Sequence, residues 1–347
     1  MATVSISPAI GWFFASVMPK LIKKISDNVI THCKLLKWLE AKNCVRYGVG
    51  GDGFQWEVRL NESGVGGATS DWGSRASKTL APPIPASESI RQFDWDFMVN
   101  LWQVKRFNTA DAASKLVAMG EDQVRSVRQE ATKRMAQWLN GSGSAIDSND
   151  ISTVINGLGS IITNSGTLHG LSRTTYAGWQ SQVNTVTNFL QDSDSDGNTN
   201  GHAAMLDMYM DCMKAQQGNA KAMEGAGIKD SIATDTSEPD LILTTSAGYQ
   251  LYELSLEAKH RFESDKAGPL KGIVFKNAIV SWDDFVTAGT FWFLNSEYLE
   301  LLLCGSRMIE ELNEETKSQP FVRTKKLGNQ GNLISRDPRY LGKLSFS

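Results

Sequence analysis

The chain is poor in the residues from which metal, redox and nucleophilic sites are built. Of its 347 residues only four are cysteine (Cys33, Cys44, Cys212, Cys304), and no two stand at a CxxC or comparable spacing. That pattern excludes a zinc ribbon or a thiol–disulfide motif and reads as reduced thiols in a cytosolic chain. The four histidines (His32, His169, His202, His260) fall in separate segments, with neither HxxxH nor HExxH among them. His32 and Cys33 are adjacent, but neighbouring positions on a helix point in different directions, so they do not form a nucleophile–base pair. There is no phosphate loop and no hydrolase elbow. No nucleophile, base and oxyanion donors can be assembled, so no catalytic residue and no cofactor is assigned. Long apolar runs are missing too. Ile10–Met18 (IGWFFASVM) is bracketed by Pro8 and Pro19, has no charge ahead of it, and is far short of the ~20 residues of a membrane span. Without a secretory route, the sequon Asn61-Glu62-Ser63 carries no meaning.

Tryptophan, by contrast, is abundant. Ten of them in a chain of ordinary composition (41% hydrophobic, 21% charged) point to large buried surfaces, in cores or at interfaces. The net charge of −3 hides a strong asymmetry. Residues 1–47 carry seven Lys/Arg against two Asp/Glu, and residues 317–347 carry seven against one, which leaves −14 for the middle. Basic ends on an acidic body suit head-to-tail contact between copies, because opposite fields fix orientation. Lys23 and Lys24 in the first segment and Lys325 and Lys326 in the last are candidate contact residues.

Periodicity divides the chain. Ser26–Ala41 has the apolar stripe of a helix, with Val29, Ile30, Cys33 and Leu36 on one face, and its core partner is not local. Phe54, Trp56, Val58 and Leu60 alternate with polar residues, and Phe93, Trp95, Phe97, Val99 and Leu101 do so again, giving two half-buried strands predicted to pair as an extended ribbon. Asn61–Ser89 between them is rich in Gly and Ser, with Pro82, Pro83 and Pro85 stiffening its return. A loop of that length is functional or a linker. The period then becomes helical: Val124, Val127, Ala131, Met135 and Trp138 predict a long helix over Thr109–Leu139, with Gly120 as a point of bending and Asn140-Gly141 as its stop. Past the GSGS boundary at 141–144, the segment 150–315 reads as mixed α/β. Ile151–Ile162 is a short helix or strand, Gln180–Leu190 and Ala203–Lys214 are helices, and Asp240–Thr244 is a buried strand. A helix runs from Tyr249 to about Phe262, and Ile273–Val280 and Phe291–Leu294 are strands. The basic tail from Gln319 is extended.

Two motifs invite chemistry. Gly48–Gly53 matches GxGxxG, but a strand follows it where a dinucleotide fingerprint requires a helix N-terminus, so the glycines are better explained as freedom at the root of the ribbon. Asp192, Asp194, Asp196 and Gly197 match the opening of a calcium loop, but its twelfth position is Ala203 where a bidentate Glu should stand. That makes the segment an exposed acidic loop first and a poor cation site second.

The order of parts resembles the major capsid proteins of tailed bacteriophages, whose fold is shared with encapsulin shells and herpesvirus capsid floors. Local segments carry the resemblance. They are Ile25–Ile30 with Leu35–Leu39; His169-Gly170-Leu171-Ser172-Arg173 leading to Trp179-Gln180-Ser181-Gln182-Val183; and Pro239–Leu243 leading to Tyr249 and Tyr252. Phe291–Asn295, and Gly331-Asn332-Leu333 with Arg336, complete the set. Each motif alone is common, and their order over nearly the whole chain is what makes the likeness.

The resemblance implies an α+β fold of five parts. These are an N-terminal arm (1–47), an extended loop with flanking strands (48–107), the spine helix of a peripheral domain (108–149), an α/β axial domain (150–315), and a C-terminal segment (316–347) that completes the peripheral domain or contacts neighbours. It implies a structural protein, not an enzyme, that assembles through pentamers and hexamers into an icosahedral shell around the double-stranded DNA of a phage. The DNA is held without sequence specificity and no membrane is involved. A separate scaffolding protein and a portal are the expected partners, since no long acidic leader precedes the arm, and the expected location is the virion after assembly in the host cytoplasm. Trp56, Trp72, Trp95 and Trp102 are the expected anchors on sister copies. Lys78, the only lysine in Gly48–Ile90, is a contact candidate without an assignable catalytic glutamate for crosslinking. The alternatives are an encapsulin-type compartment and a soluble enzyme or calcium-binding α/β protein.

Overall fold

Two sheets share one long apolar core, and the last strands of the chain reach into both. The computed structural model describes residues 33–58, 82–100, 112–144, 154–191, 199–214, 238–257, 264–265, 272–315 and 322–346, and the architecture below is that of these residues.

The chain enters through helix α1 (Lys34–Ala41), which buries Leu35, Leu36, Trp38 and Leu39. Asn43 turns it with a positive φ of 58°, and β1 (Val45–Arg46) follows. Strands β2 (Phe54–Val58) and β3 (Ile84–Glu88) pair antiparallel, from Phe54 opposite Glu88 to Val58 opposite Ile84. β4 (Arg91–Asn100) leads to helix α2 (Ala112–Asn140). At 29 residues α2 runs roughly 43 Å at 1.5 Å per residue. It passes through Gly120 as one continuous helix. Ala131, Met135, Trp138 and Leu139 are buried and Val127 packs against the same core, as the period of the sequence requires. Asn140 ends the helix with its side-chain amide on the Ala136 carbonyl at 3.0 Å.

After a short helix α3 (Leu158–Ile161), a two-strand bracket of β5 (Thr167–Leu168) and β6 (Leu171–Ser172) precedes β7 (Gln182–Val186). Then come helix α4 (Asn200–Lys214), β8 (Leu241–Thr244), helix α5 (Ser246–Glu257), β9 (Ser264–Asp265), β10 (Gly272–Phe275), β11 (Ala278–Trp282), β12 (Thr290–Leu294), β13 (Leu299–Leu303), β14 (Glu310–Glu315), β15 (Val322–Ser335) and β16 (Gly342–Phe346).

The seven-stranded sheet has the order β7-β16-β12-β8-β11-β10-β9. Its central strands read as unbroken apolar runs, LILT and TFWFL, because both faces are covered. Ile242, Phe291 and Phe293 turn toward Met205, Met208, Tyr209 and Tyr252 of α4 and α5. The alternate residues Leu241, Leu243, Trp292 and Leu294 join the main core with Trp38, Trp138 and Trp179. The five-stranded sheet has the order β1-β13-β15-β14, with β4 also pairing β15.

Several expectations are corrected here. Residues 182–186 form a strand, not a helix: Val183, Thr185 and Val186 are β-branched residues that favour a pleated surface, and β16 offers a parallel partner from Gln182 opposite Gly342 to Val186 opposite Phe346. Ile273–Val280 is a hairpin, not one strand. It turns at Lys276 (φ 56°) and brings Phe275 opposite Ala278. The two aromatic strands do not pair with each other. β2 takes β3, while β4 lies along β15 from Arg91 opposite Gly331 to Asn100 opposite Val322. The tail is extended as expected, but β15 is an interior strand of the five-stranded sheet and β16 of the seven-stranded one.

Candidate functional site

The root of the β2–β3 ribbon is where the sequence placed most of its signals. The glycine run is used for backbone approach. Gly48 (φ 74°) donates its N–H to the Gly305 carbonyl at 3.0 Å, Val49 donates to Leu303 at 3.1 Å, and Gly51 has φ 135°. A Cβ on Gly53 would stand 3.1 Å from the Glu88 carbonyl. β2 follows directly, so no helix N-terminus faces these amides.

β3 is gripped by the β5–β6 bracket. Its two-residue turn, His169 (φ 52°) and Gly170 (φ 79°), has both central residues left-handed, which suits the twist of a tight hairpin. The His169 carbonyl accepts the Ser87 N–H at 3.0 Å. The buried imbidazole ring has partners on both nitrogens: Nδ1 is 2.8 Å from Glu88 Oε2, and Nε2 accepts the Ser335 N–H at 3.1 Å. An acceptor at Nε2 and a carboxylate at Nδ1 select the neutral tautomer with hydrogen on Nδ1. Trp56 stands edge-on to the ring at 4.9 Å and Trp179 at 6.5 Å. Burial pushes the His169 pKa below its ordinary value, against the pull of Glu88. Burial works against ionisation of Glu88, but the hydrogen bonds from His169 and Asn156 and the charge of Arg91 outweigh it and hold the carboxyl below its ordinary range.

Carboxylate, imidazole and serine in that order mimic a hydrolytic triad. They do not form one, because the imidazole meets the backbone N–H of Ser335 and that residue is fully buried, out of reach of any substrate. Cys33 is equally unsuited to nucleophilic work, since burial pushes its thiol up to about 12.

Asn332, fully buried, closes the root. Its Oδ1 accepts the N–H of Asn156 (2.7 Å) and of Leu333 (3.0 Å), and its Nδ2 donates to the Ser89 carbonyl (3.0 Å) and Glu88 Oε1 (3.3 Å). Arg173 forms a second knot. Its buried guanidinium donates to the carbonyls of Ser165 (3.0 Å), Ser160 and Ile161, and burial pushes its pKa down to about 10. Gln180 then donates to the Arg173 carbonyl at 2.9 Å and the Trp179 indole to Leu168 at 3.2 Å. The Arg, Trp and Gln of the sequence motifs are therefore structural ties within residues 160–180, and Asn332 ties segments far apart in the chain.

The described part of the arm is tied to its own chain. Lys42 pairs with Asp240 at 2.9 Å, and Lys34 donates to the Trp282 carbonyl with its ammonium 3.6 Å from the centroid of that indole. Buried Glu300 takes Arg46 at 2.8 Å and Arg336 at 2.9 Å.

Of the expected contact residues, Trp95 is buried within its own chain, 6.0 Å from Trp138 and 5.8 Å from Phe93. On the same strands Phe54, Val58 and Phe93 are likewise buried by their own chain. Trp56 is half-buried, packed on His169 and on the core. Lys326 is half-buried and 3.8 Å from Asp94, while Lys325 lies in register opposite Glu314 on one side and Phe97 on the other. The basic tail strand is thus flanked by acidic strands of the same chain, which spends internally part of the charge expected to reach a neighbour. Lys23, Lys24, Trp72, Lys78 and Trp102 lie outside the described residues, as do Asp192, Asp194 and Asp196. No group of His, Cys, Asp and Glu able to hold a metal occurs among the described residues, and no described helix is long and apolar enough to cross a membrane.

Sequence reasoning missed the outward apolar side chains of the seven-stranded layer. Met210 on α4 is 40% exposed, Leu254 on α5 49%, and Val183 on β7 39%. Their signal was an apolar residue on the polar side of an otherwise amphipathic element, which becomes visible only once the inward side is known.

No protein-family model and no curated protein matches the sequence. Solved structures do match. A capsid subunit of cyanophage A-1(L) aligns over 85% of this chain and 88% of its own, at 16% identity and a TM-score of 0.57. The capsid of Myoviridae phage XM1 aligns over 90% and 92%, at 10% identity and 0.53. The encapsulin of a holo-SrpI complex from Synechococcus elongatus PCC 7942 aligns over 89% and 86%, at 8% identity and 0.50. With two sheets, a long helix, a β-ribbon and closing strands in the order the sequence implied, the chain has the α+β fold of these shell proteins.

Proposed function

We propose that the chain is the major capsid protein of a tailed bacteriophage, the repeated subunit of an icosahedral shell that encloses double-stranded DNA. The observation that carries this reading is coverage in both directions: the fold accounts for 85% to 90% of this chain and 88% to 92% of the two phage capsid subunits. In this reading 1–47 is the arm, 48–107 the extended loop with its strands, 108–149 the spine, 150–315 largely the axial domain, and 316–347 the closing segment. β13 and β14 share the five-stranded sheet with β4 and β15, and β16 lies in the seven-stranded sheet. Outward Met210, Leu254 and Val183 are the sister-copy contacts, together with Trp56, Trp72, Trp102, Lys78 and the basic residues Lys23, Lys24 and Lys325. Pentamers and hexamers repeat each modest contact around a closed lattice, so no single one needs to be strong. An acidic body suits a wall past which packaged DNA must slide. A scaffolding protein and a portal complete the assembly in the host cytoplasm before the shell becomes part of the virion.

A second reading, an encapsulin-type compartment, draws on the match to the Synechococcus shell. Electron microscopy of the expressed protein, followed by analysis of what purified particles contain, separates the two. Shells that package DNA support the capsid, shells filled with one protein cargo support the compartment, and a monodisperse monomer refutes both.

A further inference from the structure

The ring of His169 is a titratable group that touches three separate parts of the ribbon root. It sits on the β5–β6 bracket, holds Glu88 of β3 through Nδ1 at 2.8 Å, and accepts the N–H of Ser335 at the end of β15 through Nε2 at 3.1 Å. The bracket also binds β3 directly through the Ser87 N–H. One proton changes this arrangement. An imidazolium has hydrogen on both nitrogens, so Nε2 can no longer accept, and two N–H groups then face each other across 3.1 Å in a buried site. Ser335 is fully buried, so its N–H has no water to turn to.

We propose that His169 is a proton-operated latch, which holds the β2–β3 ribbon to the end of β15 when neutral and releases it when protonated. The inference stands on the geometry of one chain and does not depend on the shell reading.

The surrounding charges set the direction. Glu88 is the acidic group facing the ring, and it favours the imidazolium. Against it act burial and the charge of Arg173, and Arg91 draws on the same Glu88 carboxylate. Trp56 of β2, Trp179 of the 177–179 turn and Asn332 of β15 contribute no charge, and Arg336, next to Ser335, is taken up by Glu300. Burial lowers the folded-state pKa of His169 below the ordinary value of 6.5. Because the folded pKa is depressed, the latch is fully closed above about pH 6.5, and it weakens as pH falls from there through the folded-state pKa.

The test is hydrogen exchange of the full-length chain between pH 7.5 and 5, corrected for intrinsic chemical exchange and read at the amides of Ser335 and Ser87. Opening at both should rise by up to about tenfold per pH unit below about 6.5, the slope of one proton, while the Phe293 amide in β12 stays flat. His169→Gln keeps one donor for Glu88 and one acceptor for Ser335 but does not titrate, so it should abolish the slope. Equal slopes in wild type and His169→Gln, or wild-type amides at Ser335 and Ser87 that follow Phe293, overturn the proposal. Should the variant fail to fold, histidine-labelled wild type gives the answer by nitrogen NMR. Nε2 must be unprotonated at pH 7.5 and gain its proton below pH 6.5; an Nε2–H tautomer at neutral pH overturns the latch.

Discussion

Replacing Asn332 tests whether the ribbon root is held by the hydrogen bonds described. The side chain is fully buried and serves two donors and two acceptors: the N–H groups of Asn156 and Leu333, the Ser89 carbonyl and Glu88 Oε1. Asn332→Ala leaves both N–H groups without their acceptor. At about 1–3 kcal/mol for each buried group left unpaired, the cost is about 2–6 kcal/mol, before any loss at Ser89 or Glu88. That is a large part of the roughly 5–15 kcal/mol that holds a domain together. Asn332→Asp separates the contributions. It restores acceptors to both N–H groups but places a second carboxylate beside Glu88 and removes the donor between them. Like charge and burial raise the pKa of the new carboxyl, and once protonated it can donate again. The variant should therefore be as unstable as the alanine variant at pH 7.5 and regain stability relative to wild type as pH falls toward 5. Asn184→Ala, at an exposed position whose side-chain oxygen accepts the N–H of its neighbour Thr185, should stay within about 0.5 kcal/mol of wild type. Urea denaturation of unassembled subunits at both pH values reads all three. An alanine variant within 1 kcal/mol of wild type, or an aspartate variant that loses further ground at low pH, would refute the reasoning.

The remaining predictions concern assembly and thiol chemistry. Leu254→Asp should leave the melting temperature within a few degrees of wild type, because the residue is 49% exposed in the single chain, yet cut the yield of closed particles on a sizing column; normal yield would remove α5 from the contact surface. Deleting residues 61–81 should give a folded subunit that does not close shells. The deletion must spare Ile84–Glu88, since β3 carries the Ser87 and Glu88 bonds to the bracket, and intact particles on a micrograph would dismiss the loop from assembly. Cys33, with its thiol pushed up to about 12 by burial, should resist iodoacetamide at pH 8 until urea unfolds the chain, as read by peptide mapping that separates it from the partly exposed Cys304; labelling of Cys33 in the native protein at the rate of a free thiol would contradict the packing of α1.

Much of the fold was legible because it is written in period. The 3.6-residue repeat through Val127, Ala131, Met135 and Trp138 predicted α2 almost to its ends, and the alternation of Phe54, Trp56 and Val58 predicted β2. Pairing partners were not legible. β4 and β2 carry the same alternating aromatics, and nothing local says that one takes β3 and the other β15, more than 200 residues further on. The strand at 182–186 was misread for the same reason, since its partner β16 lies at the far end of the chain.

The sequence by itself determined where the chain is helical and where apolar side chains alternate, the uneven charge, and the order of parts that resembles a capsid subunit. Each of these depends on residues close together in the chain. Only the tertiary structure decided which surfaces are already covered and which remain open. Trp95 is spent on Trp138, and the basic β15 lies between acidic β14 and β4, while Leu254 and Met210 are left facing outward. It also decided that His169, Glu88, Ser335 and Asn332 meet at one point. Burial and hydrogen bonding are properties of the whole packed chain, and long-range strand pairing sets them in a way no local pattern encodes.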